Sequence, residues 1–345
     1  MTITLKIAKK EDKELWDNLV EKSPHGTIFH TWKFLKIIEK HTPSKLYPLI
    51  GMKGTTPVGI YPLFFQKRFF LKMVFSPPPH VAVPYLGPAF VDYDKLKQSK
   101  RESIFIEFQK DVDEFISSEL RADYVYISVS PTIIDCRPFN WTNYEINPRY
   151  SYSIKFSNNI EQVWRNIDKN RRNEINRAKR EGVYIDEGSK KDMIKLYNLL
   201  VSRYADQRRT VSISKKYLLD IYEIFYPENL KILVAKYDGD IISGTVDAYY
   251  KDRTYFWIGN PKPHLKVPNV NELLTWESIR WACERGYKYY EIIGIATTER
   301  LYKHYSKLNP NFSAYFSATK RNFLSKVSES YYTSILKPIR SRFRV

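Results

Sequence analysis

The sequence predicts an α/β fold of two tandem domains, each with a mixed, mostly antiparallel sheet flanked by helices. The chain has 345 residues, which is enough for two domains with separate hydrophobic cores. Its order of helices, hairpin, strand, helix and strand occurs twice, and one hairpin pattern recurs at a fixed offset. Together these observations predict a duplicated α/β domain.

The recurring hairpin spans residues 45–65 and 229–250. Each copy has an apolar run, a polar turn containing glycine, and a second run rich in β-branched or aromatic residues, which is typical of a hairpin. Two glycines of the first copy match two of the second at the same offset, namely Gly54 with Gly239 and Gly59 with Gly244. The match therefore involves turn chemistry as well as hydrophobicity.

The elements around each hairpin follow the same order. Amphipathic helices are predicted before the hairpins, over residues 31–41 and 214–225, because their apolar positions are three or four apart. A later helix over residues 269–286 ends at Gly286, and a strand follows it. We place the boundary near residue 148, which gives a first domain over 1–148 and a second over 149–345.

The composition restricts the possible partners. The formal net charge of +18 favours polyanions, namely nucleic acid, phosphorylated sugar carriers or an anionic membrane surface. The two cysteines and six scattered histidines form no recognisable metal-binding pattern, so we expect no metal and no cofactor. The N-terminus does not read as a signal peptide and no run is long enough for a membrane helix, so we expect a cytoplasmic protein.

One basic segment, residues 163–185, reads "VWRNIDKNRRNEINRAKREGVYI". We expect a single helix from residue 158 or 159 to Gly182, with an apolar stripe that contains Ile167, Ile175 and Arg171. An inward arginine is costly unless it meets an acid, a carbonyl or a bound anion. Two alternatives remain: Arg171 forms a buried ion pair, or it lines a cleft and binds a phosphate or carboxylate.

The same segment resembles a helix of Fem-type peptidyltransferases, which are tandem proteins of the GNAT acyltransferase superfamily. Three other segments resemble this family: residues 26–38, "GTIFHTWKFLKII"; residues 83–90, "VPYLGPAF"; and residues 267–294, "VPNVNELLTWESIRWACERGYKYYEIIG". The resemblance covers nearly the whole chain. It implies two GNAT-like domains, which the internal repeat supports independently.

The resemblance implies an aminoacyltransferase that moves an amino acid from aminoacyl-tRNA to an amine of a cell-wall or glycan precursor. The acceptor would be nucleotide-linked or lipid-linked, in peptidoglycan or pseudopeptidoglycan biogenesis. Such a reaction needs alignment of the amine and stabilisation of the oxyanion, with no covalent intermediate.

Two alternatives stay open: an acyl-CoA-dependent N-acyltransferase acting on an amino sugar or surface polysaccharide, and a non-catalytic RNA-binding protein. Residues 259–272 carry proline and lysine where CoA-binding turns carry glycine, which argues against conventional CoA binding.

The resemblance also indicates candidate site residues. In the family, a lysine close to the reacting centre lies in the loop after the last strand, and we expect the same loop here over residues 301–312, "LYKHYSKLNPNF". Tyr305 takes the place of that lysine, or its role passes to Lys303 or Lys307, and these three are the catalytic candidates. The candidates for binding substrate or anion are Arg171, Arg172, Trp32, Lys36 and His304.

Two further features of the sequence remain ambiguous. The family's aspartate is replaced by Glu291, so the acceptor is expected to differ from a bacterial muropeptide. The basic tail, residues 334–345, reads either as a frayed terminus or as a contact with membrane lipid or tRNA. A peripheral contact with an anionic membrane is therefore included among the expected partners.

Overall fold

A computed structural model describes residues 3–157, 159–259, 261, 267–293 and 299–325. The chain forms two compact units. The first contains the chain up to Pro79, residues 85–148 and the described residues from Tyr315 onward, and the second contains His80–Pro84 and Arg149–Ala314. These units differ from the expected ranges 1–148 and 149–345 at two segments. His80–Pro84 belongs to the second unit, and the described residues from Tyr315 onward belong to the first.

The helices and strands alternate along the chain. The helices are α1 (Lys13–Lys22), α2 (Trp32–His41), α3 (Gln98–Phe115), α4 (Arg137–Trp141), α5 (Ile160–Asn166), α6 (Lys169–Arg180), α7 (Lys190–Asp206), α8 (Lys215–Phe225), α9 (Val270–Glu284) and α10 (Glu299–Ser306). The strands are β1 (Thr4–Ile7), β2 (Lys45–Lys53), β3 (Thr56–Arg68), β4 (Leu71–Ser76), β5 (Ala89–Phe90), β6 (Tyr124–Ser128), β7 (Glu145–Lys155), β8 (Tyr184–Glu187), β9 (Leu230–Tyr237), β10 (Asp240–Tyr250), β11 (Arg253–Gly259), β12 (Tyr289–Ile292) and β13 (Asn311–Arg321).

The first unit is built on a mixed sheet with the strand order β1-β2-β3-β4-β6-β13, and β5 pairs with β3. Only β4 and β6 run parallel among these neighbours. The core includes buried aromatic rings from α3 and α4, such as Phe105, Phe108 and Phe139. Residues 317–321 of β13 pair with β6, which explains why the end of the described chain belongs to this unit.

The second unit has the strand order β7-β12-β11-β10-β9-β8. The neighbours β11 and β12 are parallel, and the other neighbours are antiparallel. The parallel pairing ends at Phe256 and Ile292, and β11 continues to Gly259. A β-bulge interrupts the pairing of β10 with β11 between Val246 and Asp247. Bulges of this kind re-aim side chains and are frequent next to active sites.

A short segment from the first half of the chain, His80–Pro84, belongs to the second unit. The Tyr217 hydroxyl donates to the carbonyl of Val81 at 2.9 Å, and the Trp257 indole donates to the carbonyl of Ala82 at 2.8 Å. Both donors lie inside the second unit, on α8 and β11. The segment is thus attached through its main chain.

The two predicted hairpins are present as β2–β3 and β9–β10. Gly54 and Gly239 occupy the turns with φ of 59° and 83°, a left-handed conformation that favours glycine. The predicted preceding helices are also present, as α2 and α8. The internal repeat is therefore structural, and the predicted α/β class with mixed, mostly antiparallel sheets is confirmed.

Two predictions about local structure are wrong. The basic segment is not one helix, because Ile167 is extended (ψ 141°) and Asp168 begins a new helix, α6, by accepting hydrogen bonds from the amides of Asn170 and Arg171. Residues 301–312 were expected as a loop, but their first half lies in α10. No proline or glycine lies at the break between α5 and α6, so the usual sequence signals for the end of α5 are missing.

Candidate functional site

A polar cluster in the second unit centres on Arg171, in the first turn of α6. The buried face of α6 consists of Arg171, Ile175 and Ala178, spaced four and three residues apart. Arg171 is only 2% exposed, although it carries a full charge. The prediction that this arginine faces inward is therefore confirmed by its burial.

The guanidinium of Arg171 meets three groups of the protein. Its Nη1 lies 3.2 Å from Oε1 of Glu272 on α9, and its Nε lies 3.3 Å from Oε2 of Glu174 on α6. Its Nη2 donates to the main-chain carbonyl of His304 at 2.7 Å. The contacts correspond to the first of the two alternatives, a buried ion pair, and they connect α6, α9 and α10.

The imidazole of His304 lies beside this arginine. Its Nδ1 is 3.4 Å from Arg171 Nη2 and 3.6 Å from Glu272 Oε1. Burial, with the charges of Arg171, Lys307 and Arg300, lowers the pKa of His304 to about 4, so the ring is neutral at pH 7. Because a guanidinium can only donate, Nδ1 is the acceptor and the neutral ring carries its proton on Nε2. The His304 side chain is 27% exposed.

The three catalytic candidates occupy different environments. Lys307 Nζ lies 3.1 Å from Glu174 Oε1, so Lys307 adjoins the cluster. Lys303 is exposed and forms an ion pair with Glu299 one turn earlier on α10. Tyr305 is 5% exposed and packs against Phe256, and burial raises the pKa of its hydroxyl. Of the three, only Lys307 combines a charge with a contact to the cluster.

The remaining candidates have structural partners. Nη1 of Arg172 donates to the carbonyls of Trp164, Arg165 and Ile167 at 3.3, 2.6 and 2.9 Å, so it caps the C-terminus of α5. Trp32 and Lys36 lie on α2 of the first unit. The Trp32 ring is 8% exposed and packs edge-on against Trp16, and Lys36 pairs with Glu39.

A second polar group of the second unit is centred on Asp247 of β10. Asp247 is fully buried at the bulge of β10. It accepts hydrogen bonds from Thr245 at 3.1 Å and from Ser278, whose hydroxyl also contacts the Tyr290 hydroxyl at 2.6 Å. Burial raises the pKa of Asp247 to about 7, although these hydrogen bonds lower it. The signal in the sequence was an aspartate inside an apolar strand.

Several negative expectations can be compared with the described residues. Burial raises the pKa of both thiols, to about 12 for Cys136, so neither cysteine has the low pKa of a nucleophile. Within the described ranges, no group of three or more metal-binding side chains is positioned to hold an ion. No described helix is long and apolar enough to cross a bilayer. The basic tail, residues 334–345, and Gly294 lie outside the described residues.

Glu291, the glutamate that replaces the family's aspartate, lies on β12 and is buried. It pairs with Arg253, whose guanidinium lies 4.1 Å from the centre of the Tyr289 ring. Burial raises the pKa of Glu291, and the charge of Arg253 opposes that rise. This glutamate is thus compensated inside the sheet.

Comparison with known proteins supports the GNAT-like fold. Residues 165–304 match the family model described as an acetyltransferase (GNAT) domain. The segment contains α6, the β8–β12 sheet and most of α10, and so the whole polar cluster around Arg171. No curated protein sequence matches the chain.

Solved structures with similar folds cover nearly the whole chain at low sequence identity. FemX is 10% identical, with a TM-score of 0.65 over 91% of this chain and 96% of its own. L-PGS from Bacillus licheniformis is 13% identical, with a TM-score of 0.54 over 96% and 98%. A tandem GNAT protein from the clavulanic acid biosynthesis pathway is 9% identical, with a TM-score of 0.54 over 92% and 98%. These likenesses confirm the resemblance at the level of the fold.

Proposed function

We propose that the chain is an aminoacyltransferase that transfers an amino acid from aminoacyl-tRNA to an amine of a cell-wall or glycan precursor. The amine nitrogen attacks the ester carbonyl, a C–N bond forms, the C–O bond to the tRNA ribose breaks, and the amine's proton leaves with the ribose hydroxyl. No covalent enzyme intermediate is needed, because the aminoacyl ester is already activated.

The observation that carries this proposal is the neutral imidazole of His304, fixed by Arg171 beside Glu272. We assign its Nε2–H as the donor that stabilises the oxyanion of the tetrahedral intermediate. A preorganised neutral donor is effective in this role, because it gains strength as negative charge develops on the carbonyl oxygen. A pKa of about 4 keeps the donor in one protonation state over the physiological range.

Lys307 is the second residue that we assign to the site. Its ammonium pairs with Glu174 and is 40% exposed on its side chain, so it can reach a ligand while adjoining the cluster. It would attract a phosphate of the donor or of the acceptor. In this proposal Arg171 holds His304 in place, and Tyr305 has a structural role through its packing against Phe256.

The proposed donor is supported by charge and by the similar structures. A net charge of +18 suits tRNA, whose phosphates dominate protein affinity. FemX and L-PGS, both similar in fold, support the placement of this reaction class on the scaffold. The precursor acceptor and the cytoplasmic location remain part of the proposal.

A second candidate, an acyl-CoA-dependent N-acyltransferase, is favoured by the acetyltransferase description of the family model that matches residues 165–304. The deciding experiment presents the protein with tRNA charged with radiolabelled amino acids, and separately with acetyl-CoA, each with a low-mass extract of wall precursors. We expect loss of label from tRNA that depends on the extract, with no release of CoA.

Release of CoA with no loss from tRNA would replace the proposal with the CoA-dependent alternative. Consumption of neither donor, with tight binding of tRNA, would leave the non-catalytic RNA-binding protein.

A further inference from the structure

A hairpin tip in the first unit exposes two phenylalanines. The turn between β3 and β4 consists of Phe69 and Phe70, which are 85% and 66% exposed, and Arg68 pairs with Leu71 across it. Phe69 has a φ of 55°, a conformation that is strained for a bulky side chain. Two-residue turns usually use asparagine or glycine here. Such an outlier points towards a function for the exposed rings.

Further exposed apolar residues lie at the same end of this sheet. Lys72 and Asp123 bond through their main chains at 2.8 Å, and the amide of Asn322 donates to the carbonyl of Asp123 at 3.0 Å. The starts of β4 and β6 and the end of β13 therefore lie side by side next to the turn. Phe323 and Leu324, 78% and 51% exposed, directly follow this end of β13.

Basic side chains surround these apolar residues. Lys67 and Arg68 are exposed immediately before the turn, Lys72 follows it, and Arg121 is exposed just before β6. Two acidic side chains at this end have partners. Asp123 accepts from the amide of Lys72 and from the side chain of Asn322, and Glu145 pairs with Arg321 at 2.9 Å.

We propose that this end of the first unit is a docking surface for an anionic lipid bilayer. We define the docking edge as Phe69, Phe70, Phe323 and Leu324 with the basic residues Lys67, Arg68, Lys72 and Arg121. Exposed aromatic and aliphatic side chains enter the boundary between headgroups and acyl chains, and surrounding lysines and arginines contact anionic headgroups.

A bilayer fits this chemistry better than RNA or a second copy of the chain. RNA contacts depend on phosphate-binding side chains, and four large apolar groups that project at the end of a sheet add little to them. A second copy would bring the same positive charges together, which opposes association. The proposal goes beyond acyl transfer and does not depend on the identity of the donor.

The test measures sedimentation of the full chain with two kinds of vesicle: phosphatidylcholine alone, and phosphatidylcholine mixed with phosphatidylglycerol. We expect binding to the mixed vesicles to exceed binding to pure phosphatidylcholine by at least about ten-fold, and to weaken as salt rises. Phe69→Asp with Phe70→Asp should lower the partition coefficient by at least roughly ten-fold. Phe69→Trp with Phe70→Trp should retain it, because tryptophan favours the membrane interface.

The control is Ile134→Asp, which places one aspartate on a residue 79% exposed in the loop after the opposite end of β6. We expect this variant to bind mixed vesicles like the unmodified protein, and circular dichroism should show that all variants are folded. Absence of vesicle binding by the unmodified protein, equal binding by the double aspartate variant, or an equal loss in Ile134→Asp would each overturn the proposal. If the unmodified protein does not bind vesicles and the double aspartate variant loses binding to tRNA or loses dimerisation, the surface serves one of those partners and the proposal is overturned.

Discussion

Arg171 is the residue on which the proposed site depends most. Its guanidinium compensates Glu174 and Glu272 and holds the main chain of His304. Removing one partner of a buried ion pair leaves the others uncompensated, which is far costlier than losing a surface charge.

We therefore expect Arg171→Ala to lower the free energy of unfolding by about 3–5 kcal/mol. The control, Arg180→Ala on the exposed face of α6, should change it by no more than about 0.5 kcal/mol. Chemical denaturation of both variants provides the measurement. If the two variants lose the same stability, Arg171 is not the centre of a buried network.

The inward direction of Arg171 was predictable, and its partners were not. Helical spacing relative to Ile175 and Ala178 is local, so the sequence contained it. Glu272 and His304 lie on other elements and are distant in sequence, and only tertiary packing brings them together. The same limit applies to Asp247, whose partner Ser278 is on α9.

Asp247 makes stability depend on pH in a definite direction. Its pKa is raised from 3.8 to about 7, so the folded state binds its proton more tightly than the unfolded state does. The stabilisation is fully present below pH 3.8 and is lost as pH rises through about 7.

Asp247→Asn removes this titration and should keep the side chain's shape. We expect the unmodified protein to lose about 3 kcal/mol of stability between pH 5 and pH 9, and the variant to lose much less. Denaturation midpoints measured across that range provide the comparison. Parallel curves for the two proteins would show that Asp247 does not titrate there.

At the scale of elements, the break between α5 and α6 positions Arg171. Asp168 begins α6 by accepting from the amides of Asn170 and Arg171 at 2.8 and 3.3 Å, while its own amide donates to the carbonyl of Lys307 at 3.0 Å. The cap thus connects the start of α6 to the residue that follows α10.

Asp168→Ala should lower the free energy of unfolding by about 1 kcal/mol, the usual effect of losing a helix N-cap. It should also reduce transferase activity, because the first turn of α6, which contains Arg171, loses its side-chain cap, while the main-chain bond to Lys307 remains. Lys169→Ala, at the next exposed position, is the control and should leave both unchanged. Thermal unfolding and activity of the pair would be measured together, and full activity in Asp168→Ala would contradict this coupling.

Most elements were predictable because hydrophobic period and turn residues are local signals. The hairpins with Gly54 and Gly239, and the helix that ends before Gly286, are examples. The break at Ile167 was not, since no helix-breaking residue marks it and the bond of the Asp168 amide to Lys307 joins residues far apart in sequence. The strand β7 was also missed, because Pro148 in its sequence suggested a linker.

At the scale of the whole molecule, each half of the chain contributes a segment to the other half's unit. His80–Pro84 belongs to the second unit, and residues 317–321 pair with β6 in the first. A cut at the expected boundary would therefore remove part of both units.

We expect fragments 1–148 and 149–345, produced separately, to lack a cooperative unfolding transition. Mixed or co-expressed, they should recover it, because the missing strand and the attached segment return. Calorimetry on the separate and combined fragments measures this. Independent cooperative unfolding of either fragment would show that the exchanged segments are dispensable.

The central claim is that His304, held by Arg171, stabilises the reacting carbonyl of an aminoacyl ester. The most direct measurement is the single-turnover rate of extract-dependent deacylation of aminoacyl-tRNA by the unmodified protein, His304→Ala, His304→Gln and the control Lys303→Ala. We predict a loss of about 10²–10³-fold in His304→Ala with unchanged tRNA affinity, partial recovery in His304→Gln through its amide donor, and a normal rate in Lys303→Ala. A normal rate in His304→Ala would contradict the claim.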